Sequence, residues 1–341
     1  MRNSDYCRPP RVQCDVHAKH RTAQWKGFVA FLALVLGSMA GWSLAAQDIA
    51  SARVAITPRT APKPKLPANT NIRVETTLVL IPVTVTDSYG APFQGLAPEA
   101  FHLFEDGVEQ QVKYFTAEDA PLSLGILFDA SLSMQGKLDD SRAAVSSFVQ
   151  TSVAGDELFL LEFDGAPHLL SPFTSNTASI EKSLMGITLQ SGTALLDAVY
   201  LAIHEMEHAK NARKALLILS DGGDNNSRYT AAEIKARVRE ANVCIYSIAL
   251  GRNLVKHDVR LLKQLSDGTG GQLGQSEKMI DLPEVVFRIS AAIRHQYLLG
   301  YSSSNSNNDG LYRKIEVRLS QPQKAPPLHA SWRTGYRAPG D

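Results

Sequence analysis

Two different spacings of hydrophobic residues divide this chain. From Arg73 the apolar residues recur at every second position, which is the period of a half-buried β-strand. A hairpin follows over FHLFEDGVEQQVKYF, because Asp106 and Gly107 at its centre supply the positive φ angles that a tight turn requires. Residues 71–120 therefore form a small β unit, and it has too few strands to be stable alone.

Strand and helix patterns alternate over residues 121–296. The runs LSLGILFD, DELFLLEFD, KALLILSD and VCIYSIALG are continuous apolar stretches, typical of strands buried on both faces of a parallel sheet. Helical spacing appears between them, for example over residues 137–153, 194–209 and 283–295. These repeated units predict an α/β fold with a doubly wound, mostly parallel sheet, in which ligands bind at the carboxyl ends of the strands.

The period of two returns after residue 296. QYLLGYSS and YRKIEVRL indicate strands on either side of a turn rich in Ser, Asn and Gly, and SWRTGYR is a candidate for another strand. This tail has strands to spare, whereas the first β unit lacks them. We therefore expect residues 297–341 to pair with residues 71–120 in one small all-β sandwich, with the α/β domain inserted between the two segments.

The N-terminal residues have the pattern of an export signal. Six Lys or Arg and two Asp precede an uncharged apolar run, FVAFLALVLGSMAGWSLAA, at residues 28–46. Basic residues, an apolar core and small residues at its end are typical of a signal peptide, yet the run is also long enough for an uncleaved anchor. In either case we expect a periplasmic or extracellular protein. Residues 47–70 contain four Pro and predict an extended linker.

The composition and net charge of the chain exclude several classes of protein. The chain has 341 residues, 44% of them hydrophobic, with 35 basic and 34 acidic side chains. These values are typical of a globular protein with room for two cores, and they exclude a disordered chain or a polytopic membrane protein. The near-neutral charge gives no electrostatic case for nucleic acid. Cys244 lies in an apolar strand pattern beyond the signal, so we expect a buried thiol without a disulfide.

Five oxygen-bearing side chains follow the predicted strands. The first strand ends in Asp129, with Ser131 and Ser133 at every second position after it, and we expect Asp129 to lie in a surface loop. Thr193 stands just before a predicted helix, and Asp221 ends the strand KALLILSD. All three segments are predicted at the same edge of the sheet. Hard divalent cations prefer such oxygen ligands, and an incoming acidic group would complete the set.

This arrangement resembles the metal-ion-dependent adhesion site of von Willebrand factor A-type domains, in which D-x-S-x-S precedes a distant Thr and a distant Asp. The segments GILFDASLSM, SGTALLDAV and ALLILSDGGDN are similar to that family, and the flanking β segments resemble VWFA-related proteins exported by bacteria. The resemblance implies a Rossmann-like domain over residues 121–296. It also implies Mg²⁺ or Mn²⁺ as the cofactor, a protein partner that supplies an Asp or Glu ligand, and no enzymatic activity.

Alternatives remain open at this point. Asp129 and Asp221 could simply cap the segments that follow them, in a structural or assembly factor with a vestigial site. His204, Glu205 and His208 match H-E-x-x-H, the helix motif of zinc metalloproteases. At the helical period, however, the two His lie about 140° and 180° from the apolar face centred on Val199. We therefore expect them on the solvent face, without a cleft or a third ligand.

Overall fold

The computed structural model describes residues 78–117, 120–251, 256–320 and 327–340, all of which belong to the unit that covers residues 71–341. The signal or anchor predicted at residues 1–46 and the linker predicted at residues 47–70 lie outside the described residues. Within these ranges we find no helix of the length and apolarity needed to cross a membrane.

The described residues form strands β1–β14 and helices α1–α6. The strands are β1 Leu78–Thr86, β2 Phe101–Glu105, β3 Val108–Gln110, β4 Tyr114–Thr116, β5 Leu122–Asp129, β6 Glu157–Phe163, β7 Pro167–Thr174, β8 Arg213–Ser220, β9 Cys244–Leu250, β10 Leu273–Ser276, β11 Gln296–Ser302, β12 Tyr312–Leu319, β13 His329–Trp332 and β14 Gly335–Arg337. The helices are α1 Leu138–Val149, α2 Thr177–Met185, α3 Leu195–Glu205, α4 Ala231–Glu240, α5 Lys256–Asp267 and α6 Leu282–Arg294.

One sheet with helices on both faces forms the α/β domain. In the described part of the chain it has six strands in the order β10-β9-β8-β5-β6-β7, parallel except for the antiparallel edge strand β7. Every residue of β5 is buried, because helices cover both faces of the sheet. Helices α1, α2 and α6 pack on one face, and α3, α4 and α5 pack on the other. The predicted doubly wound α/β fold is therefore confirmed.

The remaining strands form a β-sandwich. Among the described residues, two four-stranded antiparallel sheets have the orders β13-β1-β11-β4 and β14-β12-β2-β3. Strands from both ends of the chain pair in each sheet, with β1 beside β11 and β2 beside β12, as predicted. The two sheets share one hydrophobic core, to which Ile81, Leu103 and Leu299 contribute. The φ angles of Asp106 (49°) and Gly107 (83°) confirm the predicted hairpin turn.

The sandwich and the α/β sheet meet where α6 runs into β11. Arg213 of β8 donates to the carbonyl oxygens of Ile293 and Arg294 at 2.7 and 2.8 Å, which satisfies the end of α6. Arg294 in turn forms a buried ion pair with Asp156 at 2.6 Å. Cys244 begins β9 beside this junction and is buried, as expected. These contacts hold the C-terminal end of α6 at the edge of the sheet where β5 and β8 begin, opposite the carboxyl ends of these strands.

Candidate functional site

Asp129 lies at the carboxyl end of the central strand β5. It is fully buried, so the expectation of a surface loop is wrong: β6 and β8 flank the end of β5 on both sides and cover it. One carboxylate oxygen accepts the backbone N–H of Ser131 at 2.9 Å, and the other accepts the hydroxyl of Ser220 at 2.5 Å. Both oxygens of the buried carboxylate are therefore held in a fixed orientation.

Burial also changes the acidity of this group. Desolvation raises the pKa of Asp129 to about 6, since the charged form loses its hydration. The hydrogen bonds from Ser131 and Ser220 oppose the rise in pKa, and the negative charge of Asp221 adds to it. Burying this carboxylate is costly, and a positive charge at the site would lower its pKa again.

Ser131 and Ser133 follow Asp129 in a short turn. Ser131 has extended backbone angles, and a 3-10 helix over Leu132–Met134 comes next. The hydroxyl oxygens of Ser131 and Ser133 lie 2.8 Å apart, on the same side of the loop. Ser131 also forms a parallel bridge with Gln190, whose N–H donates to the carbonyl of Ala130 at 2.9 Å. The D-x-S-x-S spacing thus brings the two hydroxyls together beside the Asp129 carboxylate.

Thr193 lies in the loop before α3. Its N–H donates to the Asn225 side chain at 2.9 Å, and its carbonyl accepts the backbone N–H groups of Asn225 and Asn226 at 3.0 and 3.1 Å. The preceding Gly192 has a φ of 93°, and a Cβ there would stand 2.8 Å from the Cα of Gly165. Thr193 is therefore buried and fixed against the loop that follows Asp221.

Asp221 follows the last residue of β8. Its carboxylate accepts the Lys137 ammonium at 2.9 Å, and the same ammonium donates to the carbonyl oxygen of Ser133 at 3.1 Å. Lys137 thus connects Asp221 to the turn that carries Ser131 and Ser133. The carboxyl ends of β5 and β8 and the loop before α3 all reach this edge of the sheet. We call Asp129, Ser131, Ser133, Thr193 and Asp221 the edge cluster.

The donor set of the edge cluster consists of oxygen atoms only, from two carboxylates and three hydroxyls. In the described ranges, no group of three or more His, Cys, Asp or Glu side chains is arranged to hold a metal ion. A cation at this edge would therefore depend on the hydroxyls as well as on the two carboxylates. Oxygen donors of this kind fit a hard divalent cation such as Mg²⁺ or Mn²⁺.

Three residues around the edge cluster were not predicted from the sequence. Ser220 holds the Asp129 carboxylate, Lys137 contacts Asp221, and Asn225 fixes Thr193. Ser220 immediately precedes the candidate ligand Asp221, and this position in the sequence is a signal that could have identified Ser220. Asn225 lies in the loop after Asp221, and its side chain accepts a hydrogen bond from a segment far away along the chain. Nothing in the local sequence around Lys137 indicates its partner, because Asp221 is far away along the chain.

The H-E-x-x-H segment lies at the end of α3. The helix ends at Glu205, and residues Met206–His208 continue as a 3-10 turn. The side chain of His204 is 56% exposed, while Val199 is fully buried, so the predicted solvent-facing orientation is confirmed. The rings of His204 and His208 are 5.8 Å apart between centroids, and His204 lies 3.4 Å from the Glu207 carboxylate.

Comparison with known families identifies the class of the α/β domain. Residues 124–223 match the family model of the von Willebrand factor type A domain. The matched segment begins in β5 and ends just after β8, so it contains the whole edge cluster. The six-stranded sheet of the described residues with its two helical layers, together with this match, gives the α/β domain a von Willebrand A-type fold.

Individual relatives are distant. An uncharacterized protein of Borreliella burgdorferi is 24% identical over 122 residues, which are 35% of this chain and only 36% of that relative's length. A von Willebrand factor type A structure from Catenulispora acidiphila is 12% identical, covers 77% of this chain and 73% of its own, and has a TM-score of 0.47. Proximal thread matrix protein 1 from the mussel byssus, solved with a zinc-occupied MIDAS motif, is 15% identical, with 55% and 49% coverage and a TM-score of 0.47.

Proposed function

We propose that this chain is an exported, non-enzymatic protein-binding module that uses a divalent cation. The edge cluster, Asp129, Ser131, Ser133, Thr193 and Asp221, binds Mg²⁺ or Mn²⁺, and an Asp or Glu of the partner protein becomes a further ligand. The observation that carries this proposal is the contact network at the carboxyl edge of the sheet. There the Asp129 carboxylate, two hydroxyls 2.8 Å apart and the Asp221 carboxylate are linked within a few hydrogen bonds.

Each residue of the edge cluster has a role that its own contacts support. Ser220 and the Ser131 N–H orient the Asp129 carboxylate, and Asn225 fixes the position of Thr193. When bound, the cation supplies a positive charge that attracts the partner's carboxylate. The hydroxyl donors are neutral, so the cation keeps part of its charge for that ligand.

The surface next to the edge cluster suits a protein partner. Leu132 stands between the two serines and is 53% exposed, which offers an apolar contact beside the charged centre. A partner would therefore present an acidic residue with apolar neighbours. The near-neutral charge of the chain argues against nucleic acid. The basic and apolar pattern up to residue 46 supports export, and membrane contact would come only from an anchor at residues 28–46.

A retention experiment tests the proposed function. The full chain is immobilised, and proteins of the same cell envelope are applied with Mg²⁺ and then with EDTA. We expect a partner that is retained with Mg²⁺, is released by EDTA and does not bind the variant Asp129→Asn. Asp139→Asn is the matched control, because this carboxylate at the start of α1 has a side chain that is 95% exposed and lies outside the edge cluster.

Other outcomes of this experiment separate the alternatives. If a partner is retained equally with and without EDTA, and equally by the wild type and Asp129→Asn, the binding does not depend on the metal. That result would contradict a metal-dependent module and favour a structural factor with a vestigial site. Cleavage of the applied proteins with Zn²⁺, abolished by His204→Ala, would favour the metalloprotease instead. Mg²⁺-dependent retention without cleavage supports the proposed function.

A further inference from the structure

Lys137 is a cationic side chain in direct contact with the edge cluster. Its ammonium lies 2.9 Å from the Asp221 carboxylate and 3.1 Å from the carbonyl oxygen of Ser133. The ion pair is largely screened from solvent, since the side chains of Lys137 and Asp221 are 22% and 14% exposed. The Lys137 backbone is also fixed, because its N–H donates to Met134 and its carbonyl accepts Ser141, both at 2.9 Å.

The position of Lys137 in α1 does not explain why a lysine stands there. Lys137 is the N-cap residue of α1, and its side chain makes no capping hydrogen bond. The N-terminal end of a helix carries a partial positive charge, which disfavours a lysine and favours an acidic residue or a short polar one. The contact that offsets this unfavourable position is the one with Asp221. Lys137 therefore points to the edge cluster and not to the stability of the helix.

We propose that the Lys137 ammonium is a built-in competitor of the divalent cation for the Asp221 carboxylate, and so sets the metal affinity of the edge cluster. This inference rests on the proposed function, because it concerns the same site. The ammonium donates a hydrogen bond to the Asp221 carboxylate, and the cation would bind the same carboxylate. Two positive charges that share one carboxylate repel each other. Lys137 stabilises the Asp221 carboxylate until a cation binds, and it weakens cation binding.

The competing charge also has a consequence for the partner. Two carboxylates, one ammonium and one divalent cation leave a net charge of one positive unit at the edge cluster. Without Lys137 the loaded cluster would be neutral. A single carboxylate from the partner therefore balances the charge of the loaded site only because Lys137 is present. Lys137 thus lowers the affinity for the metal and raises the affinity of the loaded site for an acidic ligand.

Mn²⁺ itself is the probe that tests this inference. Calorimetry of the full chain gives the Kd for Mn²⁺, and thermal unfolding of the EDTA-treated protein gives its Tm. We expect Lys137→Gln to bind Mn²⁺ about tenfold more tightly, because a nearby positive charge is removed. The same variant should melt at a lower temperature after EDTA treatment, because Asp221 loses its partner. Lys137→Arg keeps the charge and should retain the affinity of the wild type.

Lys182→Gln is the matched control, since Lys182 is an exposed lysine of α2, and it should leave both the Kd and the Tm unchanged. An unchanged or weaker Mn²⁺ affinity in Lys137→Gln would overturn this inference while leaving the proposed function intact, provided that the wild type binds Mn²⁺ and Asp129→Asn does not. If no variant binds Mn²⁺, both the proposed function and this inference are wrong.

Discussion

The edge cluster and the C-terminal end of α3 both carry side chains of types that can ligate metals, but they are built differently. The edge cluster takes its residues from three separate segments of the chain, and Asp129 within it is fully buried. His204 and His208 come from a single helical turn, and His204 is 56% exposed. One cluster exists only because the sheet is folded, whereas the other comes from a single short stretch of consecutive residues.

This difference shows which kind of pattern deserves a functional interpretation. Two His four residues apart can occur by chance on the polar face of an amphipathic helix, where the side chains stay hydrated and lose no solvation free energy on folding. A buried carboxylate is different, because it loses hydration and requires hydrogen bonds to offset that loss. The pKa of Asp129, raised to about 6, records this cost. A chain that brings several oxygen donors together at such a cost favours a bound cation as the compensation.

The largest effect is expected from Asp129→Asn. The amide keeps the shape of the side chain but removes its charge, so binding of Mg²⁺ or Mn²⁺ should fall below detection by calorimetry. The protein should remain folded, since a neutral group is less costly to bury than the carboxylate whose pKa is raised. Circular dichroism and the Tm of the EDTA-treated variant check the fold. Mn²⁺ binding equal to that of the wild type would remove Asp129 from the site.

Ser220→Ala should have the next largest effect. The variant removes the hydroxyl that holds one oxygen of Asp129 at 2.5 Å, so we expect about tenfold weaker Mn²⁺ binding, as is usual for residues that orient a metal ligand. Ser247→Ala is the matched control, because Ser247 is also a buried strand serine but its hydroxyl contacts Ser266. Equal Mn²⁺ affinities for the two variants would mean that Ser220 does not support the site.

Asn225→Ala should weaken Mn²⁺ binding by a smaller factor, because Asn225 positions the backbone of Thr193 and not a charged ligand. We expect a few-fold increase in the Kd, together with faster amide hydrogen exchange at Thr193. Asn211→Ala is a suitable control, since its side chain donates to the carbonyl of Gly155 away from the edge cluster. Unaltered exchange at Thr193 would show that the backbone bonds alone fix this loop.

The double variant His204→Gln with His208→Gln should have the smallest effect. Both side chains lie on the solvent face, so the free energy of unfolding should change by less than about 0.5 kcal/mol. The Kd for Mg²⁺ or Mn²⁺ should equal that of the wild type. A marked loss of Mn²⁺ binding in this variant would reverse the comparison and move the metal to the end of α3.

The spacing of hydrophobic residues and the residue types at the turns were sufficient to predict most of the fold. Continuous apolar runs identified the buried parallel strands, and Asp106 with Gly107 identified the hairpin, because both signals are local. The end of α3 was less predictable: the helical pattern extends to residue 209, but the last turn tightens into a 3-10 helix after Glu205. Ends of helices depend on tertiary contacts that local spacing does not encode.

The sequence was sufficient to name the residues of the edge cluster, but not to predict their burial or their hydrogen-bond partners. The end of a central strand is covered by its neighbours, and for this reason Asp129 is buried and does not lie in a surface loop. The contact between Lys137 and Asp221 joins residues far apart in the chain, so only the folded sheet reveals it. The residues that orient the candidate ligands were missed for the same reason.

Anomalous diffraction from crystals soaked in Mn²⁺ tests the central claim most directly. The account predicts a strong anomalous peak at the carboxyl edge of the sheet, within coordination distance of the Ser131 and Ser133 hydroxyls and close to Asp129, Thr193 and Asp221. Crystals of Asp129→Asn soaked in the same way should lack that peak. An empty edge in the wild-type crystals, or a peak at His204 and His208 instead, would contradict the account.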